Sequence, residues 1–195
     1  MIKLEEYLYW KVLPVIKSWR KKDIYAISFF VVSNEAYEYD GISNVSTFSI
    51  SYNTEKNCNH APQLSEERWN FAFWEQNLTE IISADDNDEG AKFLFDWYKE
   101  KGIENIGWED DDNIYDEDGQ YIGKGPIGYY ELLTAVSNVA KRLQTEGKIA
   151  AQFGAIPIII HDLEYPWYVE EATQNANPND EAAVFLKALR EGFPE

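Results

Sequence analysis

Cysteine is nearly absent from this chain: Cys58 is the only one in 195 residues. No intrachain disulfide can form, which fits a reducing compartment. Histidine is scarce as well, with two residues. His60 lies two positions from Cys58 in a polar stretch, but no third residue nearby would orient the pair for nucleophilic work. Cations are in deficit, with 17 Lys plus Arg against 35 Asp plus Glu and a formal net charge of −18. Such a field repels phosphate backbones and the anionic cytoplasmic leaflet, so neither nucleic acid nor a membrane is an expected partner. Long apolar runs are missing too. The longest aliphatic run, Ile156 to Ile160, is too short to span a bilayer and contains Pro157. The opening "MIKLEEYLYWKVLPVIKSW" has early acids and Pro14 in place of a clean apolar region, and does not read as a signal peptide. The expectation is a soluble cytoplasmic protein.

What the chain does contain is core-forming material. Hydrophobic residues make up 45% and aromatics 15%, far above a disordered composition. One domain over 1–195 is expected from the length. Leu4, Leu8, Val12, Val15, Ile16 and Trp19 recur at helical spacing, and Pro14 predicts a kink or two short helices there. "IYAISFFVVS" at 24–33 reads as a buried strand. Asp40-Gly41 is a turn signal, and 45–53 alternates as a half-buried strand antiparallel to the first. Residues 75–82 predict a short helix, and 88–100 a longer one stopped by Gly102. The clearest helix opens at Pro126 and stops at Gly147. A strand at 156–161 and a final helix over about 180–190 complete the order. That order implies an α+β fold: a small, mainly antiparallel sheet (hairpin 24–33/45–53 plus strand 156–161) packed against several helices.

Several short stretches invite chemistry. Residues 85–96, "DDNDEGAKFLFD", place Asp85, Asn87, Glu89 and Gly90 at calcium-loop positions. The last position is Asp96 where a bidentate Glu is wanted, and Lys92 stands where an apolar residue belongs. Asp85 and Asp86 fit better as caps of the helix that follows. "GKGPIG" at 123–128 matches a dinucleotide fingerprint in letters only, because no buried strand precedes it. No cofactor follows from it. "HDLEYPWY" at 161–168 puts His161, Asp162 and Glu164 at a strand end, where an acid/base cluster could sit. The plainer reading is a strand-to-helix corner, with Tyr165, Trp167 and Tyr168 covering the core edge. In "ERWNFAFW", Arg68 stands among Trp69, Phe71, Phe73 and Trp74, either as scaffold or as a binding face.

"GPIGYYELLTAVSNVAKRLQ", "FGAIPIIIHDLEYPWY" and "EATQNANP", with "ERWNFAFW" upstream, resemble a bacterial domain family of unknown function whose members are compact, acidic and cytoplasmic. The resemblance covers nearly the whole chain. Some members of that family sit beside polymorphic toxins, so the resemblance implies an immunity protein that neutralises a basic toxin. It carries over no catalytic residues.

The leading expectation is a non-enzymatic binding protein with a basic protein as partner. "WEDDDNIYDEDG" at 108–119 has seven acids in twelve positions. Glu109, Asp110, Asp111, Asp112, Asp116, Glu117 and Asp118 would steer the partner, and Trp108 and Tyr115 would anchor it. Ile114 and Tyr115 interrupt the charge, so the loop is expected to be pinned to the body. A second reading is a small enzyme using His161 and Glu164 in a pocket lined by Arg68, Trp69 and Trp167. A third is a weak divalent-metal-binding regulator.

Overall fold

The computed structural model describes residues 3–33, 46–85, 88–109, 114–164 and 166–193. Four strands, β1 (Ile24–Val32), β2 (Thr47–Thr54), β3 (Thr79–Ile82) and β4 (Ile158–His161), form one sheet in the order β3-β2-β1-β4. β2 runs antiparallel to both β1 and β3, while β4 lies parallel to β1. The helices are α1 (Leu4–Ser18), α2 (Glu66–Trp69), α3 (Glu89–Lys101), α4 (Tyr129–Thr145), α5 (Lys148–Phe153), α6 (Trp167–Ala176) and α7 (Ala183–Arg190), with a 3₁₀ turn at Phe71–Phe73. The fold is α+β with a mostly antiparallel sheet.

The two faces of the sheet differ in chemistry. Ile27, Phe29 and Val31 of β1, Phe48 and Ile50 of β2, and Ile158 and Ile160 of β4 belong to the main core with α1, α3, α4 and α6. The opposite face carries Ser28, Ser49, Ser51, Asn53 and His161, all buried. Over it lies a second cluster built from Tyr25, Trp69, Trp74, Ile159 and Phe185. The alternation in 45–53 predicts a strand with one wet face; instead both faces of β2 are covered. Small hydroxyl and amide side chains leave room for the broad indoles above them.

α6 closes the outer edge of β4 with side chains. The Ile160 amide donates to Thr173 Oγ1 at 3.0 Å, and the Ile158 amide donates to Asn177 Oδ1 at 2.9 Å. Asn177 Nδ2 returns a bond to the Ile158 carbonyl at 2.7 Å. Thr173 and Asn177 are one helical turn apart, so both face the strand. They satisfy backbone groups that an edge strand leaves open.

Three local expectations are corrected. α1 is one continuous helix across Pro14 and not two short ones. Pro14 is exposed and lies in the penultimate turn, while buried Val12, Leu13 and Ile16 hold that turn by packing. Residues 79–82 form strand β3 rather than the end of a helix over 75–82. The Asn77 side chain explains it, accepting from the Tyr52 amide and donating to the Tyr52 carbonyl, each at 3.2 Å. That pairing lays the segment along β2. Third, α3 is capped by Asp88, whose side chain accepts from the Ala91 and Ser83 amides, rather than by Asp85. α5 and α6 add helical turns the periodicity did not separate. Asp40-Gly41 and Asp86 lie outside the described residues.

Candidate functional site: an acidic, aromatic face

α3 ends on Gly102 in the left-handed conformation, and the chain then enters the acidic stretch. Two backbone bonds clamp its base: Gly107 N to Ile127 O at 2.8 Å and Ile127 N to Trp108 O at 2.9 Å. Farther out, Ile122 N donates to Ile114 O at 2.7 Å, and Tyr115 and Tyr121 pair as an antiparallel bridge. The turn between them is built by Asp116, whose Oδ1 accepts from the Asp118 and Gln120 amides at 3.0 and 2.8 Å. Gly119, at φ 76°, supplies the left-handed residue the turn needs. The chain therefore folds back on itself here as a small hairpin. Asp110, Asp111 and Asp112 lie outside the described residues.

Aromatic side chains fasten this loop to the body. The Tyr121 hydroxyl donates to Glu109 and accepts from the Gly125 amide at 2.8 Å. Trp167 Nε1 donates to the Gly123 carbonyl at 3.0 Å. Tyr98, fully buried, donates to the Gly128 carbonyl at 2.8 Å. Gly128 sits at φ 93° with the Tyr98 ring 3.0 Å from where a Cβ would lie, so this corner requires glycine. Glu131 accepts from the Gly128 amide and starts α4. "GKGPIG" is thus a glycine-rich corner between a hairpin and a helix, not a strand-to-helix phosphate loop.

At the carboxyl ends of β1 and β4 the loop meets a cluster of phenols and carboxylates. Tyr129 donates to Asp162 Oδ2 at 2.6 Å, and Asp162 Oδ1 accepts from the Leu163 amide at 2.6 Å. Tyr168 packs edge-on against Tyr129 and Tyr121, with ring centroids at 5.5 and 6.4 Å. Burial raises the Asp162 carboxyl above its ordinary value. Burial and the bond to Glu109 push the Tyr121 phenol up to about 12. Tyr129 and Tyr168 are raised further, first by burial and then by the Asp162 charge. All three phenols therefore stay protonated at neutral pH, and Tyr121 and Tyr129 donate to Glu109 and Asp162.

The outer surface of this region is unusually apolar. Of the ten large hydrophobics exposed among the described residues, six are here: Trp108, Tyr115, Ile122, Ile127, Leu163 and Trp167. Trp108 is 63% exposed and Tyr115 is 59% exposed. Tyr115 leans on Tyr121, and Trp167 on Tyr130, whose ring Lys124 also covers. Around them stand the half-buried Glu109 and the exposed Asp116, Glu117, Asp118 and Glu164. Exposed aromatics ringed by charge mark interaction surfaces more often than solvated loops.

No family model, curated protein or solved structure matches the chain. The functional reading rests on geometry.

That geometry separates the residues of the second reading. His161 is fully buried, with Nδ1 2.8 Å from Ser28 Oγ and Nε2 3.0 Å from the Trp69 carbonyl. Burial drops its pKa to about 4. A base for acid/base chemistry has to meet substrate, and solvent does not reach this one. Glu164 is exposed, and Trp167 points its indole at Gly123. Arg68 forks onto Glu55, stacks 4.1 Å over the Tyr25 ring, and donates to the Ala61 carbonyl and to Cys58 Sγ. The Arg68 carbonyl accepts from Trp74 Nε1 at 3.0 Å and from the Tyr25 hydroxyl. "ERWNFAFW" is thereby a scaffold for the polar face of the sheet. Cys58 is buried against that scaffold, and His60 lies outside it, exposed, with Nδ1 3.6 Å from Glu55.

In the calcium-like stretch, α3 begins at Glu89 and runs through Asp96, so the second half of the supposed loop is helical. Among the described residues, no three His, Cys, Asp or Glu side chains are grouped to hold a metal ion. Among them, too, no helix is long and apolar enough to cross a membrane. The candidate cluster includes residues that sequence reasoning did not combine. Asp162 could be flagged beside His161, but Tyr121, Tyr129 and Tyr168 converge only through tertiary contacts between the loop, α4 and α6.

Proposed function

We propose that this chain works by binding a basic protein partner on the face formed by Trp108, Tyr115, Ile122, Ile127 and Trp167 and the acids around them. The carrying observation is the concentration of exposed aromatics on the most acidic part of a chain of net charge −18. The two components divide the work. Charge raises the encounter rate and selects basic partners, while desolvated aromatic anchors supply most of the affinity. The clamp at Gly107, Trp108 and Ile127 holds the anchors in place beforehand, which lowers the ordering cost of binding. A basic toxin held by a cytoplasmic immunity protein is one instance of this reading, and the one the family resemblance implies.

The test uses a lysine–leucine amphipathic helical peptide as probe, titrated calorimetrically at low and moderate salt. One variant neutralises the face (Asp116→Asn, Glu117→Gln, Asp118→Asn, Glu164→Gln). A control of equal net charge neutralises Glu66, Glu67, Glu75 and Glu80, exposed elsewhere on the surface. The face variant is expected to bind about tenfold more weakly or worse, with a flatter salt dependence, and the control to bind nearly as the native chain does. Equal losses in the two variants would show that overall charge alone is at work, and the reading would fall.

A further inference from the structure

α4 and α6 each turn one stripe of side chains toward the other. On α4, Tyr130, Thr134, Ser137 and Asn138 lie at i, i+4, i+7 and i+8. On α6, Tyr168, Glu171, Ala172 and Asn175 lie at i, i+3, i+4 and i+7. Packed helices ordinarily meet through apolar stripes, but these two are rich in hydroxyls and amides. They enclose a cavity of about 250 Å³. Buried Leu133, Ser137, Tyr168 and Ala172 form its floor, and half-buried Tyr130, Asn138 and Asn175 its walls. Exposed Thr134 and Glu171 stand at its rim. Hydrogen bonds across the two helices hold these groups in place. Ser137 Oγ donates to the Ala172 carbonyl and accepts from Asn175 Nδ2, each at 2.8 Å. Asn175 Nδ2 also donates to Asn138 Oδ1 at 3.1 Å, and the Tyr130 hydroxyl donates to Glu171 Oε2 at 3.0 Å. The network still has capacity. Glu171 accepts that one bond and, among the described residues, pairs with no cation. Asn138 Nδ2 donates to Glu5 and has a second hydrogen. The Tyr130 and Thr134 hydroxyls donate their protons and keep lone pairs.

We propose that this cavity binds one neutral sugar ring, a pyranose. Glu171 and Asn138 bond its hydroxyls, and the Tyr130 and Tyr168 rings meet its C–H face. Size sets the first limit. Pockets for drug-sized ligands run to roughly 300–1,000 Å³, so a cavity of about 250 Å³ takes a single small ring rather than a nucleotide or a peptide. Charge sets the second. A phosphorylated or carboxylated ligand would face Glu171 within a field of net charge −18. A small amine would satisfy Glu171 and leave the open hydroxyl and amide positions unused. A sugar hydroxyl both donates and accepts, so neighbouring hydroxyls can serve a carboxylate and an amide hydrogen together. The C–H groups of the ring carry slight positive charge and suit the negative face of a phenol ring. Because Ser137, Asn138 and Asn175 already bond one another, the polar wall needs little ordering when the ligand arrives. The cavity adjoins the aromatic face, where Trp167 packs on Tyr130, but the proposal does not depend on the basic-partner reading.

The probe is methyl β-glucopyranoside, titrated into isotopically labelled protein and followed by chemical shifts. Saturable shifts are expected at the Thr134, Ser137 and Ala172 amides and at the side-chain amides of Asn138 and Asn175. For so small a neutral ligand, binding in the millimolar range is expected. Shifts that stay linear to the highest concentration, or that fall elsewhere, would overturn the proposal. Cyclohexanol has a ring of the same size and one hydroxyl, and should bind several-fold more weakly; equal binding would leave only an apolar hollow. Propylammonium should also bind more weakly. If it bound as tightly as the glycoside and Glu171→Gln abolished it, the cavity would be a cation site and the sugar reading would be lost. Glu171→Gln keeps an acceptor for Tyr130 and should weaken glycoside binding several-fold. Ala172→Leu fills the floor and should abolish binding. Because that change also touches the α4–α6 packing, Thr134→Trp blocks the cavity from its exposed rim and should abolish binding as well. Undiminished binding in both would refute the site. Cellobiose binding more tightly than the methyl glycoside would support the site as a reader of glycan ends, and weaker binding would support a free sugar as its ligand.

Discussion

His161 Nδ1 lies 2.8 Å from the hydroxyl of Ser28, across the parallel pair β4 and β1. The imidazole spans the sheet's polar face from Ser28 to the Trp69 carbonyl, so one side chain ties two strands to the aromatic layer above them. The rings against it are Phe71, Trp74 and Phe185.

A pH-dependent stability follows. The folded pKa of His161 is depressed from 6.5 to about 4. A depressed pKa means the folded state favours the deprotonated form. The stability His161 contributes is therefore complete above pH 6.5 and is lost as the pH falls toward 4. The expected loss across that window is about 3 kcal/mol. Denaturant unfolding at several pH values should show it, and His161→Gln should flatten the profile there. An unchanged profile in the variant would refute the assignment.

The Arg68–Glu55 fork should tolerate little change. Arg68→Met leaves the Glu55 carboxylate without its partner and empties the cation over Tyr25. Glu55 is partly exposed, so water compensates in part. The expected cost is about 2 kcal/mol, below the range for fully buried pairs. Adding Glu55→Gln should recover part of that loss, and Arg68→Lys should not restore it, since an ammonium cannot fork. Midpoints of urea unfolding provide the comparison.

Asn177→Ala removes the acceptor for Ile158 N and the donors to the Ile158 and Thr173 carbonyls. With several buried backbone groups left unpaired, the expected destabilisation is about 3 kcal/mol. Amide exchange should accelerate at Ile158 ahead of β2. Uniform acceleration across the sheet would argue against a role at the edge.

Trp108→Ala separates anchoring from folding. The side chain is 63% exposed, so stability should change by less than about 0.5 kcal/mol. Affinity for the lysine–leucine peptide should fall about tenfold. If affinity is retained and stability is lost, Trp108 belongs to the fold and not to the binding face.

Much of the architecture was legible in the chain. β1, α3 and α4 announce themselves because local pattern and tertiary burial agree: Gly102 ends α3 and Gly147 follows the end of α4, although α4 begins at Tyr129 behind Gly128 and not at Pro126. β3 and the continuity of α1 were not legible, because one depends on the Asn77 side chain meeting Tyr52 and the other on packing that outweighs Pro14. β2 shows a different limit. Its serines look solvent-facing until Trp69 and Trp74, far along the chain, are folded over them. The acidic loop was readable as charge with apolar interruptions. Its Asp162–Tyr129–Tyr168 floor was not, since no spacing in sequence encodes a meeting of three elements.

The side chains of Thr173 and Asn177 occupy the place where a fifth strand would otherwise pair with β4. Recruitment by β-augmentation is therefore closed on that side of the sheet. A partner approaching α6 meets side chains rather than an open backbone ladder. Its recognition there must be written in the identity of residues, and so can be rewritten by single substitutions without touching the sheet.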